Sequence, residues 1–388
     1  MRAHRIDASR IPSSDRPRPL RVPRRRDVAR LVRRHPTTES VLELQRTAGN
    51  QVTRRLLLAG TQGAAPVVQR APYGLEKQPV QTAYTDQAVQ LRKTQPDMTL
   101  EHFVDALMRT IAAAMKADGV PPFTWTFLTK GGAIGVFNST TWKVEVNVAK
   151  FTSRPGVTPK LVKDLTVDEI TEVIGTLYHE SRHTDQDVLV IRSLLDQGKK
   201  PAQIFASTQI RKDVIKAVAT TRYAAPLDAA QTAQAGRMFD VMYGTHKQVL
   251  QFLVDHSDAY DGLEKLSKDG SNLAAAAPHI ATFATWQPRT LQPKITALSA
   301  LTSPTQVEKD LLARLQTLDK ALTDLRGAFT KATGTRKPKP DDVDDTRLLA
   351  EDARAALQEA YVNLESEADA FRVEGQVKTA FGAKLAKP

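Results

Sequence analysis

Tyr178-His179-Glu180-Ser181-Arg182-His183-Thr184-Asp185-Gln186 is the stretch on which the reading of this chain turns. In an α-helix, residues four apart lie one above the other on one face, so His179 and His183 present two imidazoles to a single metal ion. Glu180 stands one step round the helix from His179. Its carboxylate can take a proton from a metal-held water and pass it to a leaving amine, the division of labour that metal-assisted amide hydrolysis requires. The helix is signalled upstream as well: Thr166-Val167-Asp168-Glu169 has the form of a capping box, and Ile170, Val173, Ile174 and Leu177 follow at helical spacing. Arg182 and Gln186 fall on flanking faces, where substrate contact, a brace for the helix and, for Arg182, a surface ion pair are all open.

The 388 residues are 41% hydrophobic and 25% charged, enough for one large or two ordinary domains with a real core. Neither a run of about 18 apolar residues nor an apolar N-terminal segment is present, so no membrane span and no Sec-type signal peptide are expected. The chain contains no cysteine. Disulfides and thiolate metal sites are therefore excluded, and any metal has to be held by imidazole and carboxylate, the donor set of a catalytic rather than a structural Zn2+ site. The net charge of +12 is unevenly placed, because residues 1–34 hold 12 arginines against Asp7, Asp15 and Asp27. The basic character belongs to an arm. The body shows no basic patch interleaved with aromatics, so nucleic acid is not expected as a partner.

In chain order, residues 1–36 alternate arginine with proline and carry too few large apolar groups to fold alone, which predicts a disordered arm. Residues 37–60 read as a helical module, with a capping pattern at Ser40-Val41-Leu42-Glu43, an apolar stripe through Val41, Leu44 and Ala48, and a break at Gly49-Asn50. Residues 61–84 read as a linker and 85–388 as the body. Within the body a helix is expected over Leu100 to Ala117, then three β-rich runs, Phe123–Leu128, Ala133–Phe137 and Trp142–Val148, forming a small antiparallel meander. After the histidine motif nearly everything is helical, with a helical insertion over about 200–345. The stretch 272–305, with Pro278, Pro288, Pro293 and Pro304, is expected to be irregular. The fold class is thus α+β, mostly α.

Two resemblances add to this reading. Val41-Leu42-Glu43-Leu44-Gln45-Arg46-Thr47-Ala48-Gly49-Asn50-Gln51-Val52 resembles the L-Q-R-x-A-G-N signature near the N-termini of proteins associated with extracellular contractile injection systems, the phage-tail-like bacterial machines. In such proteins the signature follows a basic arm and precedes a variable effector body. The resemblance implies that residues 37–60 associate with an injection particle, and that the protein is made in a bacterial cytoplasm and then delivered as cargo or retained as an accessory protein. A small sheet followed by an H-E-x-x-H helix is, in turn, similar to the layout of zincin peptidases, whose edge strand can pair with an extended protein or peptide substrate.

A catalytic zinc takes three protein ligands and keeps one position open. The metzincin pattern fails here because position 189 is leucine and position 186 is glutamine. In gluzincins the third ligand is a glutamate on a later helix, and Asn363-Leu364-Glu365-Ser366-Glu367-Ala368-Asp369-Ala370-Phe371 looks like that helix. An E-x-x-A-D register, Glu365 with Asp369, is similar to thermolysin-type motifs in which the aspartate orients a ligand histidine. An E-x-D-A-F register, Glu367 with Asp369, is closer to soluble injection-system and phage-like peptidases whose first motif also reads H-E-x-R-H. With Tyr361, Leu364, Ala368 and Phe371 taken as the buried stripe, Glu365 and Glu367 flank it on opposite sides and geometry leaves both open; the resemblance to the soluble group, carried by the H-E-x-R-H form and by Tyr361, implies Glu367. His246 and His256 are rival ligands. The expectation is a zinc-dependent endopeptidase with His179, His183 and Glu367 or Glu365 on the metal, Glu180 as general base and Asp369 behind a ligand. The alternative is a non-catalytic structural or loading component that keeps the helix without a competent site.

Overall fold

A computed structural model describes residues 73–386, apart from 129–133, 153–158, 224, 271–272 and 335–337. The expected arm and the 37–60 module lie outside the described residues. The body begins with a 3-10 turn, Gly74–Glu76, followed by α1 (Gln78–Thr94) and α2 (Leu100–Ala117). Strands β1 (Thr124–Phe127), β2 (Gly135–Asn138) and β3 (Lys143–Val146) lead to the long helix α3 (Val167–Asp196). Ten further helices follow: α4 (Pro201–Thr208), α5 (Lys212–Thr220), α6 (Ala229–Met242), α7 (Gln248–Asp255), α8 (Ser257–Lys268), α9 (Leu273–Trp286), α10 (Gln292–Ser299), α11 (Gln306–Thr333), α12 (Pro340–Val362) and α13 (Glu365–Leu385).

The described chain is mostly helical with one small sheet, as expected, but the sheet is mixed rather than an antiparallel meander. Its order is β1-β3-β2, with β2 antiparallel and β1 parallel to β3. Three β-rich runs give the order of strands along the chain and say nothing of pairing. β3 takes the centre because Val144 and Val146 are buried on one face, beside Phe137 of β2. The β2–β3 connection closes as an Asx turn, in which the Asn138 side-chain carbonyl accepts from the amides of Thr140 and Thr141.

α3 is the axis of the molecule. Its N-cap is the capping box read from the sequence: Glu169 N–H donates to Thr166 Oγ1 (3.2 Å) while Thr166 N–H donates to the Glu169 carboxylate (2.9 Å). At 1.5 Å per residue its 30 residues span about 45 Å. From Val173 to Ser193 every residue is buried. Ile170, Val173, Leu177, Val188 and Ile191 join a core formed with α1, α2, the sheet and α5, whereas Leu189 and Val190 join a second core built by the helices after α5.

Three stretches depart from expectation. The linker expected to reach residue 84 stops sooner, because Leu75 and Tyr84 are fully buried and α1 starts at Gln78. The stretch 272–305 is largely helical: Leu273, Ile280, Phe283, Trp286 and Leu291 are buried in the second core, which outweighs the breaks its prolines introduce. A π-helical turn, Gln287–Leu291, widens the hydrogen-bond ladder around Pro288, so its missing N–H costs less there. The late helix, read as one stripe from Tyr361 through Phe371, is interrupted, α12 ending at Val362 and α13 beginning at Glu365. That restart changes which residues face inward: Ala368, expected to be buried, is exposed, while Glu367, Ala370, Val373, Glu374 and Val377 are buried.

Candidate metal centre

α13 runs antiparallel to α3 and lies against it. Glu367 meets His179 and His183, Glu374 one turn pair further on meets His179, and Lys378 reaches back to Glu172 (2.6 Å). Gly175 permits this closeness, since a Cβ there would sit 3.0 Å from Glu374 Cγ. The potential ligand atoms of His179, His183 and Glu367 all lie within 4.8 Å of one another, and among the described residues no other three histidine, cysteine or acidic side chains converge in this way. A buried group that could hold a metal ion is therefore present.

Both imidazoles are held from behind. His179 Nδ1 is 2.9 Å from Glu374 Oε2, and His183 Nδ1 is 2.8 Å from Gln186 Oε1. Gln186 in turn donates through Nε2 to the Ser366 carbonyl (2.8 Å) and to Asp369 Oδ2 (3.0 Å). Both of those partners are acceptors only, so the amide nitrogen must face them and the amide oxygen must face the imidazole. His183 Nδ1 then donates to the amide oxygen, which leaves Nε2 facing Glu367 Oε1 at 3.6 Å. His179 Nε2 lies 3.5 Å from Glu367 Oε2, is buried, and makes no hydrogen bond. That nitrogen faces the Glu367 carboxylate, where a proton or a cation can sit. The Tyr361 hydroxyl donates to Glu367 Oε2 (2.7 Å), fixing the carboxylate.

The charges are arranged to the same end. Burial works to lower the His179 pKa, but the carboxylates of Glu367 and Glu374 and the charge of Glu180 outweigh it and raise it to about 9. Burial works to raise Glu367, and the two imidazoles outweigh it, holding the carboxyl well below its ordinary range. A cation and a proton compete for the same His179 nitrogen. Glu180 is also buried and lies under the edge strand: Phe137 N–H donates to Glu180 Oε2 (2.9 Å).

Of the two glutamates read from the sequence, the structure brings Glu367 to the histidines and not Glu365. Glu365 points to the other side of α13 and pairs with Arg237 (2.8 Å), where it can ligate nothing in the cluster. Asp369 touches neither histidine and acts on His183 through Gln186. The carboxylate that touches a histidine directly is Glu374, which the sequence reading missed although it stands seven residues, two turns, beyond Glu367 on one face. Arg182 is wholly buried, not a surface ion pair. His246 and His256 lie outside the cluster, His256 against Phe252. No family model, no curated protein and no solved structure matches the chain.

Proposed function

We propose that the protein is a zinc-dependent endopeptidase of the gluzincin kind, with His179 Nε2, His183 Nε2 and the Glu367 carboxylate as ligands. The observation that carries this reading is the convergence of those three groups within 4.8 Å with both Nδ1 atoms engaged from behind, which is how ligand imidazoles are oriented in zinc sites. Two nitrogens and a carboxylate in a chain without cysteine fit zinc, and three protein ligands fit a catalytic site rather than a structural one.

When bound there, zinc supplies Lewis acidity and acidifies a water molecule. The protein supplies the rest. Glu374 and Gln186 hold the two rings in one tautomer, Tyr361 and the imidazoles hold Glu367, and the surrounding core keeps bulk water from the cluster. Glu180 moves the proton. Its Oε2 is engaged by the Phe137 amide, which leaves Oε1 to accept a proton from the attacking water and return it to the leaving nitrogen. β2, at the edge of the sheet above Glu180, is the place for an extended peptide. The L-Q-R-T-A-G-N resemblance supplies the setting, cargo or accessory protein of a contractile injection system joined to its particle through residues 37–60.

The deciding experiment is zinc stoichiometry on purified protein together with peptide hydrolysis before and after chelation. About one zinc per chain and chelator-sensitive hydrolysis are expected, with Glu180→Gln keeping the zinc and losing the hydrolysis. His179→Ala and His183→Ala should lose the metal. Full zinc occupancy in either histidine variant would remove the ligand assignment.

A further inference from the structure

Arg182 lies inside α3 with no exposed surface, yet none of its partners is a ligand of the proposed zinc. Its Nε donates to Asp369 Oδ2 (2.8 Å), and its Nη1 donates to the Tyr73 carbonyl (2.9 Å) and to Asp185 Oδ2 (3.0 Å). Nη2 sits 3.3 Å from Glu76 Oε2. Two of these four partners belong to the short segment Tyr73–Glu76 at the start of the body. That segment is tied to α3 at further points: Leu75 N–H donates to Asp185 Oδ2 (2.7 Å), and the Tyr178 hydroxyl donates to the Leu75 carbonyl (2.8 Å). Leu75 itself is fully buried. Gly74 has φ +54°, and a Cβ there would fall 2.0 Å from Asp185 Oδ2, so only glycine lets the segment lie this close.

A guanidinium buried among three carboxylates is a poor source of stability. Replacing such a network by well-packed apolar side chains is often neutral or favourable by about 1–4 kcal/mol. What the network does fix is orientation. Asp369 Oδ2 accepts from Arg182 Nε on one side and Gln186 Nε2 on the other. Gln186 faces His183 with its carbonyl because its amide nitrogen has Asp369 and the Ser366 carbonyl to face. Without the Arg182 fork, Asp369 is drawn toward half-exposed Arg372, which already donates to its Oδ1 (2.7 Å), and the amide loses one of the two acceptors that orient it.

We propose that Tyr73–Glu76 is a positioning strap for the metal centre and that Arg182 is the positioning residue through which it acts, by way of Asp369 and Gln186, on the ring nitrogen that His183 presents. The inference rests on the zinc reading of the site. It separates the 73–76 segment from the rest of the chain's N-terminal region as a part of the centre itself.

The test loads full-length protein with Co2+ and records its visible absorption, which reports ligand set and symmetry, beside zinc affinity measured by chelator competition. Gly74→Ala displaces the strap without altering a side chain of α3 or α13; Arg182→Lys keeps the charge and loses the fork. Both variants are expected to shift the cobalt bands and to weaken zinc binding about 10–100-fold, the range for groups that orient ligands, with far-UV circular dichroism unchanged. Wild-type spectrum and affinity in both variants, with only a lower melting temperature, would make the strap merely structural and overturn the proposal. If Arg182→Lys does not fold, Gly74→Ala decides alone. Wild-type protein that takes up neither cobalt nor zinc removes the zinc reading and this inference with it, a result distinct from a metal site indifferent to the strap.

Discussion

Glu367→Ala is expected to lower zinc affinity by orders of magnitude, because it removes a ligand and leaves two imidazoles facing a gap in the core. Glu365→Ala should leave zinc affinity unchanged and alter stability by no more than about 0.5–1 kcal/mol, since it removes one partly exposed ion pair with Arg237. Glu374→Ala falls between, at about 10–100-fold in affinity, because it frees His179 Nδ1 without removing a ligand. Equilibrium zinc titration of the three variants checks the ranking, and a loss with Glu365→Ala equal to that with Glu367→Ala would reverse the assignment. His179, Glu180 and His183 were legible because spacing within one helix fixes their mutual geometry. The choice between Glu365 and Glu367 was not, since the stripe through Tyr361 and Leu364 was continued across a break: α13 restarts at Glu365 and its phase is its own. Glu374 was invisible for a different reason, lying 195 residues from the histidine it holds.

α3 and β2 meet at Gly135, and that contact decides where Glu180 can stand. A Cβ on Gly135 would come 2.8 Å from both Glu180 Cγ and Thr176 Cγ2, too close for the strand to keep its place. Gly135→Ala is therefore expected to push β2 off the helix and break the Phe137 amide bond to Glu180, reducing hydrolysis at least 10-fold while zinc stays bound, since neither imidazole nor Glu367 touches this glycine. Parallel zinc and activity assays read the split; loss of zinc instead would mean that β2 supports the ligands and not the base. The long helix itself was predictable from its capping box and apolar spacing. The pairing of the strands was not, because β1 passes over its neighbour in sequence to pair with β3, and nothing local to the Phe123–Leu128 run records that choice.

At the scale of the whole chain, the body takes in residues from Tyr73 onward and does not begin at 85 as composition suggested. The glycines, proline and glutamine of Gly60 to Pro66 and the lack of any sustained period made the stretch read as connector, whereas Leu75 is fully buried and Tyr73 and Glu76 reach Arg182 across more than a hundred residues of chain. Two truncations separate these readings. Removing residues 1–70 should leave the melting temperature and the zinc content of the body unchanged, because Tyr73 and everything packed after it remain. Removing residues 1–77 takes away a buried leucine and the counter-charge of a buried arginine. A buried leucine alone is worth about 2–5 kcal/mol, and a body of this size loses about 2–4 °C in Tm per kcal/mol, so a fall of several degrees or more is expected together with weaker zinc binding. Calorimetry and zinc titration on the two truncations give the answer. Equal behaviour of both would mean that Tyr73–Glu76 belongs to the preceding segment after all; a body already destabilised by loss of residues 1–70 would mean that the chain before position 71 shares its core.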